Sequence, residues 1–257
     1  MKWIIGKYAY KYKKISNKIE RKLGLQIFLP FSPFRLTCFL FEIFLFKKLN
    51  SKKKNIKFFG GYFFSDKRLK SKKLNIISAG IGDNSVFERY LEENYKISKL
   101  ICIDPTNVAR LALKKNLKNY KFYKAALTDK TKTGKIFIPY FKEDINYSVE
   151  NIIQSKNSMK IKFYDVITVM KKSKIKNIDI LKLDVEGIAD KVIFKCFHKN
   201  IYPNQICLEL ERPIFFDQIY FFKRLLKFQS VVGKYYEIFY YTKKKRGQRI
   251  ELLCLKK

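Results

Sequence analysis

Two apolar runs of this chain end in paired carboxylates. ILKLDVEG (180–187) closes on Asp184 and Glu186, and ICLELE (206–211) closes on Glu209 and Glu211. Residues two apart on a strand share a face, so each run reads as a buried strand that delivers its acids to one rim. Only 22 of the 257 residues are acidic, which makes four at two strand ends a concentration. One chemistry open to such a rim is general-base catalysis, a carboxylate taking the proton of a hydroxyl. Asp184 is the preferred catalytic base, with Glu186 supporting it. The other is a divalent cation such as Mg²⁺ or Mn²⁺ held by hard oxygen ligands, for which Asp184, Glu209 and Glu211 are the candidates. His198, the sole histidine, follows in FKCFHKN and reads as a surface or capping residue rather than a base.

A second constellation lies upstream. In SAGIGDNS (78–85) an apolar strand runs into Gly80 and Gly82, and a helix follows. Glycines let the backbone turn tightly and approach a ligand, and the start of a helix offers free N–H donors to an anionic group. Asp104 closes the next strand, ICID, 22 residues after Gly82, the spacing at which an acid in a Rossmann-like site accepts from ribose hydroxyls. The third glycine of the dinucleotide fingerprint is replaced by Ser85. That disfavours a pyrophosphate and is compatible with S-adenosylmethionine, which has none. The cofactor-binding candidates are Ser78, Gly80, Gly82, Asp83 and Asp104, with Ala126 of KAALTD passing beside the adenine.

These residues need a frame that brings strand ends together. From Leu74 short apolar runs alternate with amphipathic segments, which predicts a parallel sheet with helices on both faces. Strands are expected at 74–79, 100–103, 121–125, 178–183 and 205–210, with KIFIPY (135–140) as an extra one. Helices are expected near 85–95, 108–117 and 216–228. The runs 235–241 and 249–255, joined by a polar turn, predict an antiparallel hairpin that closes the sheet. Dinucleotide-binding dehydrogenases continue with parallel strands instead, so the hairpin favours the methyltransferase version of the fold.

The amino-terminal part is different. Residues 23–46 are strongly apolar, but Pro30 and Pro33 break the run and Arg35 and Glu42 sit inside it. The segment reads as an arm on the main domain, with peripheral membrane contact and a true anchor as the alternatives. Residues 47–57 and 65–73 read as lysine-rich linkers around an aromatic turn, FFGGYFF (58–64). The expected division is a basic and apolar extension, 1–57, and a catalytic domain, 58–257. The formal charge is +34, yet nine of the 56 basic residues are Arg and the other 47 are Lys. Arg is the residue of bidentate phosphate and guanine contacts, so this balance counts against nucleic acid as a partner. The five cysteines have neither disulfide nor zinc spacing, which points to a reducing, cytoplasmic setting with membrane association as an addition.

Between residues 74 and 212 the chain resembles the FkbM family of S-adenosylmethionine-dependent methyltransferases. IDILKLDVEG is similar to that family's strand-four signature and YDVITVMKKSKIKN to the helix before it. AGIGDNSVFE with IDPT resembles a branch whose glycine turn is followed by acids and then Phe-acid. INYSVEN (145–151) resembles its serine-containing substrate-side segment, and IYPNQICLELE its fifth strand. Ser78 stands where many methyltransferases carry an acid, and Ala189 where the family commonly has Glu. With the hairpin and the amino-terminal arm read above, the expected fold is a class I, Rossmann-like α/β methyltransferase fold with a mostly parallel seven-stranded sheet, a C-terminal antiparallel hairpin and an N-terminal helical extension. The resemblance implies O-methylation of a hydroxyl on a sugar, a glycan or a related small-molecule acceptor. Two alternatives stand beside that expectation: an RNA-modifying methyltransferase, and a non-catalytic membrane-associated protein that retains the fold.

Overall fold

The computed structural model describes residues 45–48, 55–67, 69, 73–139, 147–149, 155–211, 218–241 and 249–257. The apolar run 23–46 lies outside them apart from its last two residues. Three strands come first: β1 (Lys47–Lys48), β2 (Ile56–Phe59) and β3 (Tyr62–Ser65). The alternating part then runs β4 (Leu74–Ala79), α1 (Val86–Asn94), β5 (Ile97–Asp104), α2 (Asn107–Asn116), β6 (Lys121–Lys124), β7 (Ala126–Leu127), β8 (Lys132–Phe137) and β9 (Ser158–Tyr164). It continues through α3 (Val166–Ser173), β10 (Ile180–Leu183), α4 (Ala189–His198), β11 (Gln205–Glu211), α5 (Gln218–Val232), β12 (Tyr236–Tyr241) and β13 (Arg249–Lys256).

The main sheet has the order β1-β12-β13-β11-β10-β4-β5-β6. β6, β5, β4, β10 and β11 are parallel, while β13 runs antiparallel to both β11 and β12. This is a Rossmann-like sheet closed by the expected hairpin. Among the described residues it has eight strands, one more than expected, because the two-residue β1 pairs in parallel with Phe239 and Tyr240 of β12. Phe46, just before it, is 3% exposed and meets the Phe228 ring edge-on at 6.5 Å.

Alternation along the strands sorts the core into two layers. Ile77, Ala79, Ile101, Ile103, Leu181 and Leu183 face one way, with α3, α4 and α5. Ile76, Leu100, Cys102 and Ile180 face the other, with α1 and α2. Burial on both faces explains why these strands read as continuous apolar runs rather than alternating ones. Thr106 accepts from the Ala109 N–H and starts α2, and Asp165 accepts from the Thr168 N–H and starts α3. No helix among the described residues is long and apolar enough to cross a membrane.

Two expectations are corrected. KIFIPY contributes to β8, but β8 belongs to a separate three-stranded sheet ordered β7-β9-β8, and β9 was not expected at all. FFGGYFF is not a turn between linkers but the centre of a hairpin, β2 paired with β3. Gly60 and Gly61 have φ of 55° and 99°, the two positive values that a two-residue turn of the favoured hand needs. A Cβ on Gly60 would lie 2.5 Å from the Phe87 nitrogen, so the turn presses on the start of α1. The Gln205 side chain ties the hairpin to β11 in the manner of a peptide group, accepting from Ser65 N (2.7 Å) and donating to Ser65 O (2.9 Å).

Candidate active site

The parallel strands bring their carboxyl ends to one side, and there the two constellations meet. Asp184 N donates to Ala79 O and Gly80 N to Ile103 O, both at 3.0 Å, so the ladder continues past the strand ends. Gly80 has φ of +75°, and a Cβ on it would lie 1.8 Å from the Asp184 carbonyl oxygen. Only glycine permits the turn to run this close to the neighbouring strand end. The glycine turn and the acid of β10 are therefore one local structure.

Asp104 organises the turn. Its Oδ2 accepts from the N–H groups of Ile81 (2.8 Å) and Gly82 (3.1 Å). Its Oδ1 accepts from the N–H (2.8 Å) and hydroxyl (2.6 Å) of Thr106. A carboxylate has about four acceptor sites, and here all of them serve the fold; the side chain is 4% exposed. Gly82 is half-buried and Asp83 exposed, which leaves the tip of the turn open to solvent. Ser85 does not cap α1, because its hydroxyl donates to Ala112 O instead; the first N–H of the helix, Val86, is taken by Asn84 Oδ1 at 3.0 Å. Ala126 is buried in β7, opposite Phe163, directly after Ala125, whose N–H reaches Asp104 O.

The inner side of the turn holds groups that spacing alone did not reveal. Ser78 Oγ donates to Glu88 Oε1 at 2.5 Å. The Lys182 ammonium lies 3.6 Å from the same oxygen, donates to Gly80 O and sits 4.8 Å from the centre of the Tyr62 ring. Ser78, Glu88 and Lys182 are all at most 2% exposed. The Tyr62 hydroxyl, brought in by the hairpin, donates to Asp184 Oδ2. Burial pushes the Tyr62 phenol well above its ordinary value, and the negative charges of Asp184, Glu209 and Glu88 push it further, so it stays protonated and remains a donor.

The rest of the acid rim divides. Glu186 is half-buried and bridges to Ser148 of INYSVEN, whose Oγ donates to Glu186 O at 3.4 Å. Glu209 is 7% exposed and faces Glu251 across the β11–β13 ladder. The Glu211 side chain lies outside the described residues. Among those described, no group of three or more His, Cys, Asp or Glu side chains is placed to hold a metal ion. The loop after Asp184 is anchored from behind: Arg224 of α5 makes a two-pronged pair with Asp190 (2.6 and 2.9 Å) and donates to Gly187 O (3.1 Å). His198 is an exposed residue at the end of α4, as expected. Cys102, Cys196, Cys207 and Cys254 are buried free thiols.

Tyr62, Glu88, Lys182 and Arg224 were not among the candidate residues read from the sequence. Lys182 carried a usable signal, a charge in the middle of the apolar strand ILKLD. Tyr62 carried none, since nothing in its own segment relates it to β10.

The chain matches no known family profile and no curated protein. Among solved structures it is similar to the methyltransferase FkbM from Methylobacillus flagellatus KT, at 11% identity and a TM-score of 0.43 over 71% of this chain and 43% of that one. It is also similar to a dimethyladenosine transferase from Plasmodium falciparum, at 12% identity and 0.39 over 74% and 57%. A third is the small RNA methyltransferase HEN1, at 13% identity and 0.37 over 74% and 24%. The chain thus spans less than two thirds of each of these proteins. The fold assignment rests on the strand order and directions given above.

Proposed function

We propose that this chain is an S-adenosylmethionine-dependent methyltransferase acting on a hydroxyl of a sugar, a glycan or a related small-molecule acceptor. One observation carries the reading. The Gly80 turn, shaped by Asp104, lies directly against Asp184, which supports reading the turn as the cofactor's and Asp184 as a base beside it. The solvent-open tip of the turn at Gly82 and Asp83, which leads into the start of α1, suits the carboxylate end of the cofactor. Asp104 would act on the cofactor through the turn it shapes, since its four acceptor positions are taken by Ile81, Gly82 and Thr106.

When bound, S-adenosylmethionine supplies an electrophilic methyl group on a sulfonium. The chain contributes alignment and proton transfer. Asp184 already accepts from one hydroxyl, that of Tyr62, and an acceptor hydroxyl would take that place. Asp184 would take the proton of that hydroxyl as the hydroxyl oxygen accepts the methyl group. Holding the two partners in line supplies much of the acceleration. Ser148 and Glu186, joined across their bridge, line the acceptor side. Asp184 and Glu209 would be the ligands if a divalent cation acidified the acceptor hydroxyl, which titration with Mg²⁺ or Mn²⁺ tests.

Calorimetry with S-adenosylmethionine tests the reading, comparing wild type with Asp104→Ala and Asp184→Ala. Wild type should bind and Asp104→Ala should not. Asp184→Ala should bind the cofactor but lose about a hundredfold or more in transfer. Folded wild-type protein that fails to bind would overturn the cofactor assignment.

One observation favours a second reading, an RNA acceptor. Beside the edge strand β6 lies an open hollow of about 440 Å³ lined by Arg110, Tyr120, Phe122 and Lys124. No acid occurs between Asp104 and Asp129. Rings and cations together suit stacked bases and phosphates. Transfer of labelled methyl groups to RNA but not to glycans would select this reading.

A further inference from the structure

Lys182 and Ser78 are register partners on the parallel strands β10 and β4, and Glu88 reaches them from α1. Their polar atoms form a cluster with almost no access to water, at the inner wall of the glycine turn. Such a pair is a poor way to gain stability, because desolvating two charges offsets most of their attraction and well-packed apolar residues often do as well. The pair also leaves Glu88 Oε2 buried without a hydrogen-bond partner among the described residues. What it does achieve is specific. The ammonium holds the Gly80 carbonyl on one side of the turn, while Asp104 holds the Ile81 and Gly82 N–H groups on the other. The orientation of each peptide in the turn is thereby fixed before any ligand arrives.

We propose that Glu88 and Lys182 are a positioning pair for the cofactor turn, with Glu88 reaching from α1 to the ammonium that holds the Gly80 carbonyl. The proposal rests on the methyltransferase reading of this turn. It follows that the carboxylate can come from either strand or helix, provided it reaches the Lys182 ammonium. A side chain at 78 lies beside Lys182 in register, and its oxygen is already 2.5 Å from Glu88 Oε1. Removing the carboxylate at 88 therefore weakens cofactor binding, and replacing it at 78 restores it. A purely structural role for Glu88 predicts no such rescue of affinity.

The test is calorimetric binding of S-adenosylmethionine, with thermal melting measured in parallel. The proteins are wild type, Glu88→Gln, the swap Ser78→Asp/Glu88→Gln, and Ser78→Ala. Glu88→Gln should bind at least tenfold more weakly, and the swap should return to within about threefold of wild type. Wild-type affinity in folded Glu88→Gln overturns the proposal, as does a folded swap variant that remains at the affinity of Glu88→Gln. If Glu88→Gln does not fold, the swap alone decides: binding near wild type supports the pair, and folding without binding overturns it. If neither folds, Ser78→Ala decides, since it removes only the hydroxyl that orients Glu88. A drop of about threefold or more supports the pair, and unchanged affinity overturns it. Failure of folded wild type to bind refutes the parent reading and this one with it. Tight binding by wild type upholds the parent reading, and the variants then decide the role of the pair alone.

Discussion

Asp104 and Asp184 end neighbouring parts of one sheet, yet they are held in opposite ways. Asp104 gives all four of its acceptor positions to donors on β5's own exit and on the glycine turn. Asp184 is half-buried, and the side chain that bonds its carboxylate, Tyr62, arrives from a hairpin more than a hundred residues earlier. The first carboxylate completes a local structure; the second is offered to a partner that can be exchanged. The carboxylate that shapes the turn is saturated, while the one proposed as the base keeps a replaceable donor.

The largest expected effect tests whether the two sides are one unit. Gly80→Ala puts a Cβ into the Asp184 carbonyl at a positive φ. The left-handed conformation costs about 1–2 kcal/mol for an alanine, and relieving the collision adds about 1–3 kcal/mol. We expect about 4 kcal/mol of destabilisation in urea unfolding, with loss of cofactor binding. A small stability change would mean that the turn and Asp184 move independently. Next comes Asp104→Ala, which orphans the buried Ile81 N–H along with three other donors. Some of these reach water, so the expected loss is about 3 kcal/mol, read from the urea midpoint at constant slope.

The asymmetry between the two acids also explains what the sequence reveals. The glycine turn, Asp104 and the Asp184 strand end are each encoded within a few residues, and the buried sheet shows as apolar runs spaced by helices. The closing hairpin was legible for the same reason: two strand-like runs flank one polar turn. Tyr62 was hidden because its contact with Asp184 depends on how a hairpin packs over β11, and FFGGYFF has too few residues to show a period. The charged, alternating β9, SMKIKFY, was hidden because its partners β7 and β8 form a minor sheet with little core of its own. Ser85 and Glu88 have the spacing of a capping box. Yet Ser85 does not cap α1, and Glu88 turns inward to Ser78 and Lys182. A local pattern gave way there to a buried cation on a strand remote in sequence.

A smaller effect addresses the support behind Asp184. Arg224→Met leaves the Asp190 carboxylate, 6% exposed, without its two-pronged partner and frees Gly187 O. Breaking a fully buried pair costs about 3–5 kcal/mol. Arg224 is 16% exposed, so we expect about 2 kcal/mol. Transfer should fall while cofactor affinity stays within about twofold, because Arg224 bonds Asp190 and Gly187 O, whereas the glycine turn is held by Asp104 and Lys182. Equal losses in both would dissolve the distinction between the two sides.

The smallest effect at neutral pH belongs to Tyr62→Phe. The ring keeps its edge contact with Phe87 at 5.3 Å, and only the hydroxyl is lost, so stability should change by about 1 kcal/mol. Alkaline pH separates the variants. The Tyr62 phenol is raised well above its ordinary value of 10.0, so the folded chain keeps a proton that the unfolded chain releases. Its contribution is complete below about pH 10 and declines as pH rises beyond it. Burial pushes the Cys207 thiol from 9.0 up to about 12 and raises Cys102 and Cys254 in the same direction, so stability should begin to fall near pH 9 in every variant. Above pH 10 the decline should be shallower in Tyr62→Phe than in wild type, measured by urea unfolding at stepped pH. Parallel slopes would show that Tyr62 is not the proton-holding partner of Asp184, and the exchangeable donor on that side of the crevice would have to be sought elsewhere.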